Sequence, residues 1–256
     1  SSSKNIGGVL REQGHYDEAI AYYTRTLEIR ERLKEPEGLI GIYHSLGVLH
    51  LYLKQHSEAI EYLTKSLEIS SPLEHLVYKS MSLHNLGLVY EDMGDYEPAL
   101  DYFEQSLQID ESISDKNGVA KNYDKIAGIH FATGNISEAF DYYVKIDALY
   151  REMGAQKDRL SNLNTISLKY QELGQFEMAI EYSEKALHLS EELGDQFEIA
   201  NSLSTLGINC SNIQQYDRGL TYFEKSLELF EELGANSNVG YILNNIGFTQ
   251  EHLGRY

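Results

Sequence analysis

The sequence has no tryptophan, three prolines and one cysteine among its 256 residues. The lone Cys210 excludes an internal disulfide and is too little for a zinc site. Long apolar runs are missing as well, since none approaches the roughly 20 residues that span a bilayer. Positive charge is scarce. Lys and Arg total 21 against 40 Asp and Glu, a formal charge of −19. A polyanion repels phosphate backbones and anionic headgroups, so nucleic acid and membranes are not expected partners. There is no glycine loop to cradle phosphate, no nucleophile elbow and no HExxH pattern. The reading is therefore a non-enzyme with no cofactor and no metal. Ser1-Ser2-Ser3-Lys4-Asn5 has none of the features of a signal peptide, which points to the cytoplasm; without an initiator Met, the chain reads as a segment of a longer protein. Hydrophobic residues make up 42% of the chain, enough for a packed core.

What is present is a period. Ile6-Gly7 returns as Leu46-Gly47 and Leu86-Gly87, changes to Ile126-Ala127 and Ile166-Ser167, and returns as Leu206-Gly207 and Ile246-Gly247. The step is 40 residues throughout. Small residues keep the same step at Ala19, Ala59, Ala99, Ala139, Ala179 and Gly219, and so does tyrosine at 22, 62, 102, 142, 182 and 222. Six units and a terminal half-unit, Tyr241 to Tyr256, account for the whole chain, so residues 1–256 are expected to form a single solenoid.

Each unit reads as two helices. From Met81 to Met93 the apolar residues are Leu83, Leu86, Leu88, Val89 and Tyr90; then come Tyr96, Ala99, Leu100, Phe103, Leu107 and Ile109. Recurrence every three or four residues marks amphipathic helices. Gly94-Asp95 between them suits a left-handed helix end followed by a side-chain cap. Gly14, Gly134, Gly174 and Gly254 repeat that stop, while Lys54 and Gln214 depart from it. Pro98 falls in a first turn, and Pro36 and Pro72 lie near unit boundaries. Gly87 and Ala99 allow close backbone approach, and the tyrosine ladder is expected to bury its rings between helices. One helix pair cannot bury its stripe alone, so the units must stack with an inner, hollow side. The architecture expected is all-α, a solenoid of antiparallel helix pairs.

The order Leu83, Leu86-Gly87, Tyr90, Gly94, Ala99, Phe103, with Ser106 in place of a final alanine, resembles the tetratricopeptide repeat. The 40-residue step is similar to the longer variety found in Leu-Gly-Asn-repeat scaffolds and in bacterial regulators that sense peptides, and Asn5, Asn85 and Asn245 precede the Leu-Gly or Ile-Gly pair in that manner. The resemblance implies a right-handed superhelix and a protein or peptide partner held in a concave groove lined by the first helix of each unit. Two ladders would then face the groove. One is Lys4, His44, His84, Asp124, Asn164, Ser204 and Asn244; the other is Asn5, Ser45, Asn85, Lys125, Thr165, Thr205 and Asn245. Their side chains suit hydrogen bonding to an extended peptide. The family's clamp for a C-terminal carboxylate would place His44, Val48, Asn85, Lys121 and Lys125 at its five positions, with Val48 departing outright. Two other functions stay open: a peptide-sensing domain that controls an effector outside this segment, and a self-assembling array joined through terminal half-units.

Three further expectations are local. His50 and His130 stand where Tyr90 and Tyr170 do and should pack rather than bind metal; Cys210 shares that position and should be an inert buried thiol. His44 and His84, one unit apart, are too widely spaced to converge on one ion. Asp147 occupies a position held by leucine in the other units and needs a partner, a local shift onto Ile146 and Leu149, or a role as a weak joint.

Overall fold

The three- and four-residue apolar spacing produces thirteen α-helices and no strand among the described residues. The computed structural model describes residues 2–33, 36–71 and 75–254, with side chains from residue 7 onward. Pro72, Tyr256 and the side chains of Lys4 and Asn5 lie outside the described residues. In chain order the helices are α1 (Ser2–Glu12), α2 (Tyr16–Leu33), α3 (Pro36–Tyr52), α4 (His56–Ser70), α5 (Leu76–Met93), α6 (Tyr96–Ser112) and α7 (Lys116–Ala132). Then follow α8 (Ile136–Met153), α9 (Gln156–Glu172), α10 (Phe176–Leu193), α11 (Gln196–Asn212), α12 (Tyr216–Glu232) and α13 (Asn236–His252). The odd-numbered helices are the first members of the pairs and the even-numbered the second.

The chain divides into two compact units, Ser1–Tyr142 and Tyr143–Tyr256. In the first, each helix from α1 to α7 packs on its sequence neighbours; in the second, α9 to α13 do the same. First helices also touch one another, α3 beside α5 and α11 beside α13. Each unit is thus a stack of antiparallel helix pairs, the arrangement of a helical solenoid.

Packing explains the glycine ladder. A Cβ at Gly7, Gly47, Gly87 or Gly207 would lie 2.5–2.7 Å from the side chain sixteen positions on, which is Tyr23, Leu63, Phe103 or Phe223. The glycine is a socket and the large side chain a knob. This corrects the expectation for tyrosine. The enclosed position is the one after the ladder, at Tyr23, Leu63, Phe103, Tyr143 and Phe223, while Tyr22 is exposed and Tyr62, Tyr102, Tyr142, Tyr182 and Tyr222 are half-buried. A helix face about 100° wide has room for one deep position, and the glycine opposite decides which residue takes it. The half-buried tyrosines stack instead on the first helix of their own pair: His50 on Tyr62 at 5.3 Å, Tyr90 on Tyr102 at 5.4 Å, His130 on Tyr142 at 5.9 Å and Tyr170 on Tyr182 at 5.6 Å between ring centres. The two histidines therefore pack as tyrosines do. Cys210, at the same position, is fully buried, and burial pushes its thiol pKa up.

Where serine replaces glycine the knob disappears too. Ser167 Oγ meets Ser183 Oγ at 2.7 Å, and both hydroxyls donate to the carbonyl of Ala179 at 2.9 and 2.8 Å. Gly128, one residue late, has nothing within 4 Å of the place a Cβ would take, so it is no socket. Gly207→Ala should lower stability by about 1–3 kcal/mol through overpacking against the Phe223 ring; a denaturant midpoint equal to the parent's would contradict the socket.

The 40-residue register is visible in single bonds. Ser66 donates to the Ile40 carbonyl at 3.1 Å, Ser106 to Ser80 at 3.1 Å and Ser226 to Ala200 at 2.8 Å, always across 26 residues. The turns repeat as well. Gly14, Gly94, Gly134, Gly174 and Gly254 have φ between 67° and 84°, and Lys54 (58°) and Gln214 (62°) adopt the same left-handed backbone without being glycine. Gln214→Gly should therefore stabilise the chain by about 1 kcal/mol, readable as a higher melting temperature.

Two local expectations resolve differently. Asp95 precedes α6 but accepts no hydrogen bond from its N–H groups; the side chains that do cap are Asp115, on Asn117 and Gly118 at 3.1 Å, and Asp195, on Glu198 at 3.2 Å. Asp147 is paired, with Arg151 at 2.7 Å and Arg159 at 2.8 Å, while Ile146 beside it is buried. Two guanidinium groups relieve its burial.

Candidate functional site

First helices position most of the polar ladders, and in the first unit they join them across helices. His44 on α3 is buried. Its Nε2 accepts from Asn85 Nδ2 on α5 at 3.0 Å, and its ring meets Tyr78 edge-on at 6.1 Å. His84 on α5 donates from Nδ1 to Asn122 Oδ1 on α7 at 2.8 Å and lies edge-on to Phe103. Burial, and then the charges of Lys125 and Lys121, lower its pKa against the opposing bond to Asn122, so the imidazole is neutral at neutral pH. These two histidines tie neighbouring helices together rather than stand ready in solvent.

The second ladder turns inward in another way. Ser45 donates to Gly41 O at 2.7 Å, Asn85 to Met81 O at 2.7 Å, Thr165 to Ser161 O at 3.0 Å and Thr205 to Asn201 O at 3.0 Å, each one turn back on its own helix. Such back-bonding occupies a donor expected to meet a peptide. Lys125 is held by Glu91 at 3.1 Å. Asp124 and Asn244 are exposed, Asn164 is half-buried, Ser204 is buried, and Asn245 keeps an enclosed Nδ2 with no protein acceptor.

One place on the first-helix face gathers what the ladders scatter. A cavity of about 440 Å³ lies between α5, the end of α6 and the start of α7. Val77, Met81, Leu88 and Ile113 supply apolar wall, while His84, Asn85 and Lys121 of the expected site line it together. Lys125 opens onto a different cavity, of about 500 Å³, where Asp92 also binds Lys54 and His56. The clamp positions are thus divided: Asn85 and Lys121 share one cavity, Lys125 faces another, and His44 and Val48 are buried.

Ser80 and Asp110 also line the cavity, with Asn122 bonded beneath them, and the sequence reading passed over all three. Asp110 is 4% exposed. Ser80 Oγ donates to its Oδ1, and Asn122 Nδ2 donates to its Oδ2 at 2.9 Å and to Ser106 Oγ at 3.1 Å. Burial raises the Asp110 pKa above the usual carboxylate value; the Ser80 bond opposes this, the Asp115 charge adds to it, and Asn122 and Lys121 oppose it. Both carboxylate oxygens thus accept a hydrogen bond, one from Ser80 and one from Asn122, which is how a buried carboxylate is kept. The signal for it was in the repeat. Position 110 corresponds to Arg30, Ser70, Tyr150, Ser190 and Phe230, and the two charged residues of that set are the two followed eight positions later by glycine, Gly38 and Gly118. A Cβ at Gly38 would overlap the Arg30 guanidinium, and one at Gly118 the Asp110 carboxylate.

Comparison with known proteins agrees with the packing. The tetratricopeptide repeat profile matches residues 1–71, 39–112 and 78–152, and a second profile of the same repeat matches 161–193. The chain belongs to the tetratricopeptide repeat family. Its repeats are those of a protein-interaction module, on a fold that is generally a non-catalytic scaffold. No curated protein matches the sequence. Among solved structures, BtubC (BKLC) from P. vanneervenii is similar, with 16% identity over 86% of this chain and 92% of that one and a TM-score of 0.69. The apo form of RapI aligns over 99% and 97% of the two chains at 14% identity, TM-score 0.68. A Rap protein complexed with Competence and Sporulation Factor aligns over 98% and 75% at 15% identity, TM-score 0.60. At these identities the likeness is one of fold. No helix among the described residues is long and apolar enough to cross a membrane.

Proposed function

We propose that this tetratricopeptide repeat chain binds an extended segment of a partner protein on the first-helix face of its first unit, along α5 and α7. The observation that supports this is the cavity in which Asp110 and Lys121 stand beside exposed Val77 and Met81. Apolar wall with a few convergent polar groups is the usual form of a recognition pocket. No chemistry is needed: a preformed site binds by contact alone. A strongly negative chain repels nucleic acid and anionic lipid, and a protein partner fits that charge better. The test is selection of a displayed library of unstructured peptides on residues 1–256. Enriched peptides should lose about tenfold in affinity on Val77→Asp and keep it on Glu104→Gln, a change on the exposed side of α6. Selection that enriches nothing, or binders indifferent to Val77→Asp, would refute the proposal. The peptide-sensing version of the same role draws support from the Rap fold solved with a factor bound; it requires small-angle scattering to change when a selected peptide is added.

A further inference from the structure

We infer that the cavity between α5, α6 and α7 receives the side chain of an arginine from the partner segment. This rests on the interaction-module reading and names what its site selects. Asp110, the buried acidic residue of the cavity lining, is enclosed by protein and its carboxylate is bonded to Ser80 and Asn122, both neutral donors. A buried carboxylate held only by neutral groups keeps unspent attraction for a cation, and each of its oxygens can accept a further hydrogen bond. Val77, Met81 and Ile113 line the same space, and Val77 and Met81 are exposed where Asp110 is buried. A long aliphatic stem ending in a planar cation matches that order of surfaces, apolar outside and anionic at depth.

The other ionisable groups around the cavity decide the sign. Asp115 stands at the rim and spends one oxygen on the first N–H groups of α7, so the positive end of that helix is already met by a carboxylate. His84 is neutral, its pKa lowered by burial. Among the described residues Lys121 is the one cation lining the cavity; it is exposed and acts on Asp110 through its charge. Among the described residues two carboxylates against one solvated ammonium leave the space negative, within a chain of net charge −19. Gly118 keeps this geometry open, since a side chain there would occupy the position of Asp110 Oδ2.

The experiment uses residues 1–256 carrying ¹³C-methyl methionine, and the probe acetyl-Ala-Arg-Ala-amide against its uncharged twin with citrulline in place of arginine. The Met81 methyl resonance should shift and saturate with the arginine peptide, and the citrulline peptide should bind about tenfold more weakly. Asp110→Asn should remove that preference. Lys121→Gln, at an exposed position, should tighten binding about threefold by removing a like charge. The result on Lys121 is the sharpest. If the cavity held a carboxylate, the same change would weaken binding, and that outcome overturns the inference even where Asp110→Asn fails to fold. An absent Met81 shift, or equal shifts from the two peptides, also overturns it. Peptide selection separates the two levels: α5–α7 binders without arginine defeat this inference alone, whereas no binders at all defeat the interaction site as well.

Discussion

Phe103→Ala should lower the stability of the first unit by about 3–5 kcal/mol, while Tyr102→Ala, one residue earlier, should lower it by about 1–2 kcal/mol. The ring of Phe103 is fully buried and fills the space opened by Gly87, where a Cβ would lie 2.7 Å from it. It also belongs to the cluster of Ala99, Ile126 and Ile129, so one truncation empties contacts on α5, α6 and α7 together. Tyr102 keeps one edge in water and loses mainly its stack on Tyr90, with centroids 5.4 Å apart. Because each pair touches only its neighbours, the damage should stay local. Hydrogen exchange ought to show faster opening of α5 to α7 with α11 and α12 unchanged. Equal midpoints for the two variants in urea would mean that the knob-and-socket assignment is wrong.

The second large effect belongs to the polar cluster. Asn122→Ala should cost about 3 kcal/mol near neutral pH, because it strips one donor from the buried Asp110 and the acceptor from His84 Nδ1. The pH dependence has a definite sign. The folded-state pKa of Asp110 is raised, mainly by burial, so it is the ionised form that folding penalises. Below the ordinary aspartate value of about 3.9 the group is protonated in both states and contributes nothing. As pH rises through that value and then through the folded pKa, the penalty grows to its full size. Removing Asn122 enlarges it, while loss of the His84 bond acts in the opposite sense at acid pH; in a His84→Phe background, which removes that second effect, the deficit on Asn122→Ala should be smaller at pH 4.5 than at pH 7.5. Urea unfolding at the two pH values measures this directly, and a deficit that shrinks with rising pH would contradict an ionised, hydrogen-bonded Asp110.

The stacked helix pairs were legible because they rest on short-range rules repeated many times. Apolar residues every three or four positions, the Leu-Gly pair and a small residue at 19, 59 and 99 each demand the same local geometry, and the packing of His50, His130 and Cys210 follows from their place in that pattern. Which aromatic goes deepest was not legible from the tyrosine ladder, since adjacent positions on a helix differ by about 100° in direction and the choice depends on the glycine of another helix. The site was less legible for a similar reason. His44 and Asn85 lie one step apart in separate ladders, and only their side-chain directions make them hydrogen-bond partners. Asp110 sits at the end of a second helix, outside the first-helix positions on which the resemblance drew attention, and its partners come from α5 and α7. Its one outward trace was the glycine at 118, which acquires meaning beside Arg30 and Gly38.

The seam between Ser167 and Ser183 bears on how such a chain can be rearranged. Recombination that breaks between pairs carries each first helix away with its own second helix, and matched surfaces travel together. A crossover inside a pair joins strangers: α9 followed by α12 would bring the benzyl group of Phe223 onto the hydroxyl of Ser167, where neither a hydrogen bond nor a vacancy awaits it. Duplications and losses that preserve folding should therefore have their endpoints in the loops that separate hairpins, and hybrid genes cut within the α9–α10 turn should yield insoluble product.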